Sequence, residues 1–178
     1  MTIVLGVVFL SPLRSLGAYN IYLNLTGVTG ESTNASYLNQ IVVNSFSQRV
    51  SVVVSPGSGG GNSVSKPTFT DLTLVKPLDV SSPTLLLDCA RGTAFSQAVL
   101  TFQDQSSNPT AFYTITLKNV IISSVQSAGS SGGDSRPSET VTLNFTAITW
   151  TYQQLDNAGQ PVGSPVTHSY NIATGAAS

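Results

Sequence analysis

The sequence predicts a mainly β, all-β-class fold whose strands bend as they do where a sheet closes into a barrel, with a single short helix beside them. Two observations lead there. From Tyr113 to Tyr152 the chain holds two long β-rich runs joined by a loop of serine, glycine, an acid and an Arg-Pro pair. Each run alternates apolar and polar residues and then changes phase: Tyr113, Ile115 and Leu117 give way to Val120 and Ile122, and Val141, Leu143 and Phe145 to Ile148, Trp150 and Tyr152. A phase change of this kind marks a bend or bulge, and because a one-residue slip turns every side chain over, each run is expected to serve two differently facing surfaces.

The remaining elements follow in order. Ile3 to Leu10, IVLGVVFL, is a short apolar run before Ser-Pro and Arg14. It is too short to span a bilayer, and with no basic residue ahead of it and only an indifferent small-residue site at Gly17 and Ala18 it makes a poor signal peptide. A misplaced start and an extra edge strand are the other readings, and the sequence does not choose among them. Residues 1–17 are therefore set apart as an extension, and 18–178 read as one domain, a size at which all-β barrels and sandwiches commonly stay undivided. Ile21, Leu23 and Leu25 alternate with Asn20, Tyr22 and Asn24 as in a half-buried strand, which Gly27 and Gly30 end. Asn39 to Val54 repeats the alternation with Val42, Phe46, Val50, Val52 and Val54 on one parity, long enough that a bend near Ser45 is expected. Ser55 to Ser63, SPGSGGGNS, reads either as a loose hairpin tip or as a segment ordered against a neighbouring subunit, since its glycines carry a large backbone entropy.

Thr68 to Lys76 resumes as a strand that Pro77 stops. The one convincing helix follows: Ser82 can cap it, Pro83 suits the first helical position, Leu85, Leu86, Cys89 and Ala90 share a face, and Gly92 closes it. Gln97 to Gln105 alternates again, with Ala98, Leu100 and Phe102 against Gln97, Thr101 and Gln103, before the turn Ser106-Ser107-Asn108-Pro109. After the two long runs, Asp156 to Gly159 makes a hairpin turn and Val166 to Ile172 a last strand.

Charge and chemistry are sparse. Apolar residues make up 40% of the 178-residue chain and charged ones only 8%, against roughly 25% in an average soluble protein, so the surface must be rich in hydroxyls and amides. Seven basic and eight acidic residues give no basic footprint for nucleic acid, while weak repulsion between copies leaves self-association electrostatically unopposed. Cys89 is the only cysteine and reads as a packed thiol, with Arg91 its one nearby cation. His168 is the only histidine, and no Gly-x-Ser-x-Gly elbow accompanies it, so a serine-hydrolase triad is not in prospect. One Cys and one His cannot make a zinc site without several acids. Carboxylate pairing among Asp71, Asp79, Asp88, Asp104, Asp134, Glu139 and Asp156 is conceivable for glycoside chemistry, yet most of these sit at strand ends or turns. Gly59 to Gly61 lacks the Gly-Lys-Ser/Thr of a phosphate loop. No catalytic residue, cofactor or metal is expected. Asp134, Arg136 and Glu139 read either as a solvated loop with a local ion pair or as a subunit contact.

Three blocks carry a resemblance. IYLNLTGVTGES, Ile21 to Ser32, is similar to the opening strand and G-V-x-G-E-S turn of the Hcp family, the haemolysin-coregulated proteins that form the inner tube of bacterial type VI secretion systems. DLTLVKPLDVSSPTLLLDCARGTAFSQAVLTF, Asp71 to Phe102, resembles the family's strand, S/T-P helix start and following strand. ITLKNVIISSV, SGGDSRPSE and VTLNF recur in family order, and the likeness spans about Tyr19 to Ile172. It implies a small closed or nearly closed antiparallel β-barrel with one short flanking α-helix, assembling into a hexameric ring. It also implies rings that stack into a tube, partners in a contractile sheath and a spike protein, and a channel that carries or chaperones small effectors. Localisation would be cytoplasmic before assembly, then outside the cell through the apparatus, with no nucleic acid and no membrane insertion. The glycine-rich stretch matches the family's extended loop in position, so Val52, Val54, Gly59, Gly60, Gly61 and Val64, with Glu31, Asp134, Arg136 and Glu139, are the expected subunit-contact residues. The first 18 or so residues have no counterpart in that pattern, and the low charge is unusual for it. Two further readings compete: a tail-tube protein of a phage or other contractile injection particle, and a secreted carbohydrate-binding β-sandwich with Tyr19, Tyr22, Trp150 and Tyr152 as an exposed aromatic line.

Overall fold

A computed structural model describes residues 18–57, 60–132 and 136–178, and ten of its strands join one sheet. β1 (Tyr19–Leu25) buries Ile21, Leu23 and Leu25 as their alternation predicts. Tyr22, on the opposite parity, is buried as well, because the next loop folds over it and stacks Tyr37 on its ring, centroids 4.6 Å apart and planes 11° from parallel.

The run from Asn39 to Val54 is not one strand but four pieces: β2 (Ile41–Val43), β3 (Ser45–Ser47), β4 (Val50–Ser51) and β5 (Val54–Pro56). Register with β1 sets Ile41 beside Leu23 and Val43 beside Ile21, so these two enter the core and Val42 faces the other way, opposite Tyr22. The expected bend falls at Asn44, whose N–H donates to the Val75 carbonyl at 2.7 Å. There the chain leaves β1 for a new partner strand. β6 (Asn62–Val64) returns along β5, and β7 (Thr68–Phe69) along β4, so residues 50–57 and 60–69 form a two-stranded arm outside the main sheet.

β8 (Leu72–Pro77) buries Leu72, Leu74 and Lys76 on one parity. α1 (Ser82–Arg91) follows, closed by Gly92 in the left-handed region at φ 63°, a conformation that glycine adopts without strain. Ser81 occupies the N-cap without a side-chain bond to the helix backbone, its hydroxyl donating instead to Asp79 Oδ1, while Ser82 accepts the Asp79 N–H at 3.1 Å. Of the four residues expected on one face, Leu85 is buried and Cys89 half-buried, but Leu86 and Ala90 are exposed. Leu85 and Cys89 are four residues apart and stack along the helix, whereas Leu86 and Ala90 lie about 100° further round it.

β9 (Ala94–Asp104) pairs with β1 on one side and on the other with β10 (Ala111–Ala128), an 18-residue strand that is the spine of the fold. Lys118 and earlier residues of β10 face β12 (Ala147–Tyr152), and Ile121 onward faces β11 (Ser138–Asn144), so the second long run of the sequence is two strands on one partner. Asn119, at φ 51°, marks the switch, and its side-chain amide donates to Thr146 Oγ1 at 2.8 Å across the corner. That left-handed residue corrects the expectation of two differently facing surfaces. It rotates the strand as the parity changes, so Ile115, Leu117, Val120 and Ile122 all enter one core, together with Val141, Leu143, Phe145 and Ile148.

The pairings run β9 to β1 to β2, and, across Asn44, β3 to β8 to β11 to β10 and back to β9. β13 (Val166–Asn171) extends from β12, and β14 (Ala176–Ala177), which no sequence signal marked, pairs with its far end. β12 to β14 thus form a wing beyond this circuit, with the arm rooted beside it.

Candidate assembly surface

Among the described residues, the arm carries a cluster of exposed valines. Val54 pairs with Val64, Ser55 with Ser63 and Pro56 with Asn62, and Ser65 N–H reaches Val53 O at 2.9 Å, so the glycine-rich segment flanks an ordered hairpin. Val52, Val53, Val54 and Val64 are 45–67% exposed and lie outside the core. Gly60 and Gly61 lie near the tip, where φ at Gly60 is 85°; Gly59 falls outside the described residues.

At the root of the arm lies an open hollow of about 480 Å³, walled by Val50, Pro67, Phe69, Trp150, His168 and Tyr170. Phe69 stacks on Tyr170 with ring centroids 5.0 Å apart and on Trp150 at 6.2 Å. Register explains the wall: Trp150 pairs with His168 and Ile148 with Tyr170, so the core-facing parity of β12 continues past Ile148 onto the wing. The same parity carries the exposed Tyr152 and Val166. Sequence reasoning placed Trp150 on an apolar stripe but had no signal for the strand pairing that sets His168 beside it.

The polar contact residues divide. Arg136 Nη1 meets Glu31 Oε2 at 3.0 Å on the surface, and Glu31 Oε1 also accepts the Val80 N–H at 3.0 Å, so one carboxylate ties three loops at the helix end of the sheet. Glu139 is not on the surface. Its carboxylate is fully buried against Lys76 Nζ at 3.0 Å and also accepts from Ser82 Oγ at 2.9 Å. Its place on the core parity of β11, beside Lys76 of β8, turns it inward. Asp134 falls outside the described residues.

The described acids considered as carboxylate pairs hold surrounding structure. Asp71 takes hydrogen bonds from Ser123 and Asn144, Asp88 from Thr93, Asp104 from Thr110, and Asp156 shapes its own turn. Among the described residues no three His, Cys, Asp or Glu side chains gather where a metal could bind. The four aromatics considered as a sugar-binding line do not form one: Tyr19 and Tyr152 are half exposed, but Tyr22 lies buried under Tyr37 and Trp150 against Phe69. No described helix is long and apolar enough to cross a membrane.

Residues 22–152 match the family profile of the type VI secretion system effector Hcp. The chain belongs to the Hcp family. It is 36% identical over 156 residues to protein hcp1 of Pseudomonas aeruginosa, a match covering 87% of this chain and 96% of that relative. A solved structure described as that of a type six secretion system protein superposes with a TM-score of 0.85 at 27% identity, covering 90% of this chain and all of the other. Hcp1 from Salmonella typhimurium gives 0.75, also at 27% identity, over 90% of this chain and 99% of its own. The mainly β architecture with one helix is therefore the Hcp fold, and the chain is a type VI secretion protein of that family.

Proposed function

We propose that this chain is the structural subunit of a type VI secretion tube: residues 18–178 form one closed barrel, and six copies form a ring that stacks into a channel. The observation that carries this reading is the arm. A two-stranded ribbon with four exposed valines and no core of its own is costly for a lone chain in water and is the kind of surface that another copy covers. The circuit of strand pairs through Asn44 supports closure of the barrel, since β2 and β3 are consecutive and hold its two sides together. Val52, Val54, Gly60, Gly61 and Val64 are contact residues in this reading, with Gly59 beside them in sequence, and the Glu31–Arg136 strap, with Asp134 near Arg136 in sequence, faces the adjoining ring. The contractile sheath, the spike and small effector proteins held in the channel are its partners, and export follows firing of the apparatus. The sparse charge of the chain suits a wall along which cargo slides without being held by ion pairs.

The test is the absolute mass of the purified chain by native mass spectrometry. A species of six times the 18.5 kDa chain supports the ring. Monomer at every concentration from micromolar to millimolar overturns it.

A further inference from the structure

The core-facing side of the sheet is covered inside the barrel and bare where it continues onto the wing. Register sets Phe102 beside Tyr113, Tyr113 beside Tyr152 and Tyr152 beside Val166, one row across β9, β10, β12 and β13. Along that row exposure climbs from 2% at Phe102 to 50% at Tyr152 and 59% at Val166. The next row inward repeats the trend: Leu100 and Ile115 are buried, Trp150 is partly covered by Phe69, and His168 is exposed. An apolar sheet face that runs out of the barrel into water calls for a cover, and among the described residues nothing encloses Tyr152 and Val166.

The sequence holds one apolar run that no described element uses, Ile3 to Leu10, IVLGVVFL, which lies outside the described residues. Its tether starts at the bare end of the sheet. Ala18 O accepts the Gln105 N–H at 3.1 Å, and Tyr19 pairs with Asp104, two residues beyond the Ile21 and Phe102 pair that begins the exposed row. Tyr19 is half exposed and packs edge-on against Phe112 at 5.9 Å, so apolar surface continues from the tether point towards the row. The exposed leucines of α1, Leu86 and Leu87, are remote from it, because Glu139 ties the start of that helix to Ser127 near the far end of β10.

We propose that residues 3–10 fold back in cis and cover the bare wing face, with Tyr152 and Val166 beneath them. Reach allows it: the eight steps from Leu10 to Ala18 extend up to about 26 Å at 3.3 Å each, while β1 and β13 are four strand spacings, about 19 Å, apart. A short tether also holds the run near the face at roughly millimolar effective concentration, which favours the chain's own run over that of another copy. The inference needs only the described fold and stands apart from the ring reading.

Site-directed disulfides test it in the full chain. On a Cys89→Ser background, Val8→Cys is paired in turn with Val166→Cys and with Thr167→Cys, neighbours that are both exposed and point to opposite faces of β13. In a glutathione redox buffer an intrachain disulfide should form several-fold faster with Val166→Cys than with Thr167→Cys, and adding Leu5→Lys with Phe9→Lys should bring the two rates together. Equal rates without the lysines, or an advantage that survives them, would show a tether that wanders without docking and overturn the proposal. Interchain disulfides in place of intrachain ones would assign the face to a second copy's run and overturn docking in cis. Native mass reads the ring separately: a monomer carrying the intrachain disulfide leaves the docking standing while the ring falls, and rings of six without it do the reverse.

Discussion

Lys76 and Glu139 form an ion pair inside the protein, Nζ to Oε2 at 3.0 Å with side chains 1% and 0% exposed, and Asp79 closes on the same ammonium at 2.8 Å. The three join β8, β11 and the start of α1, and Ser82 bridges them by accepting from Lys76 and donating to Glu139. Two carboxylates depend on one cation here. Removing one partner of a buried pair leaves an uncompensated charge, typically at a cost of about 3–5 kcal/mol. Lys76→Met should therefore fall at the upper end of that range and Glu139→Gln, which leaves Lys76 with Asp79, below it. Adding Glu139→Gln and Asp79→Asn to Lys76→Met should recover part of the loss. Urea denaturation measures all three, and a Lys76→Met cost under about 1 kcal/mol would refute the account.

Gly30 has no room for a side chain. A Cβ there would lie 2.4 Å from the Gln40 carbonyl oxygen, against backbone that is fixed by Gly30 N–H to Asn39 O at 2.7 Å. Gly30→Ala should cost on the order of 1–3 kcal/mol, as overpacking does, and should loosen the loop that covers Tyr22. Gly61→Ala is the control, because nothing lies within 4 Å of its Cβ position. Equal midpoints for the two variants would show that the close approach carries no strain.

The alternations that read correctly from sequence are those whose register keeps one parity inward: Leu72 and Leu74, Ile115 and Leu117 are buried as their pattern implies, whereas on β9 Thr101 and Gln103 are buried along with Leu100 and Phe102. The misreadings share a physical cause, which is that periodicity does not carry pairing. Val42 and Phe46 share a parity in the sequence, but the bend at Asn44 lies between them and pairing with β1 buries Ile41 and Val43 instead. Glu139 looked like a loop acid beside Arg136, yet its partner lies 63 residues back in sequence. The Hcp likeness, by contrast, was legible, because its Gly-Glu-Ser turn and Pro-initiated helix are local signals that tertiary pairing does not rewrite.

Arg136 and Glu31 separate surface electrostatics from backbone support. Their pair is 69% and 46% exposed, so Arg136→Ala should cost less than about 1 kcal/mol of chain stability. Glu31→Ala also strips the acceptor from the Val80 N–H before α1 and should cost more than the arginine change. Thermal melts of the two variants give the order. If instead Arg136→Ala leaves the monomer unaltered but lowers ring stacking in sedimentation, the strap acts between rings as proposed.

Tyr37 and Tyr113 should make stability fall at alkaline pH. Burial raises the Tyr37 phenol above the usual tyrosine value, with the neighbouring Tyr22 adding to the effect, and burial alone raises Tyr113. A phenol is charged only after losing its proton, so a raised folded value means that the unfolded chain deprotonates first. The stabilisation is then complete below the unfolded value of about 10 and is lost as pH rises from there through the folded values. Absorbance at 295 nm should show Tyr37 and Tyr113 titrating later than an ordinary tyrosine, and urea midpoints should drop as pH rises above about 10. Tyr37→Phe with Tyr113→Phe should flatten that drop, and an unchanged slope in the double variant would place its origin elsewhere in the protein.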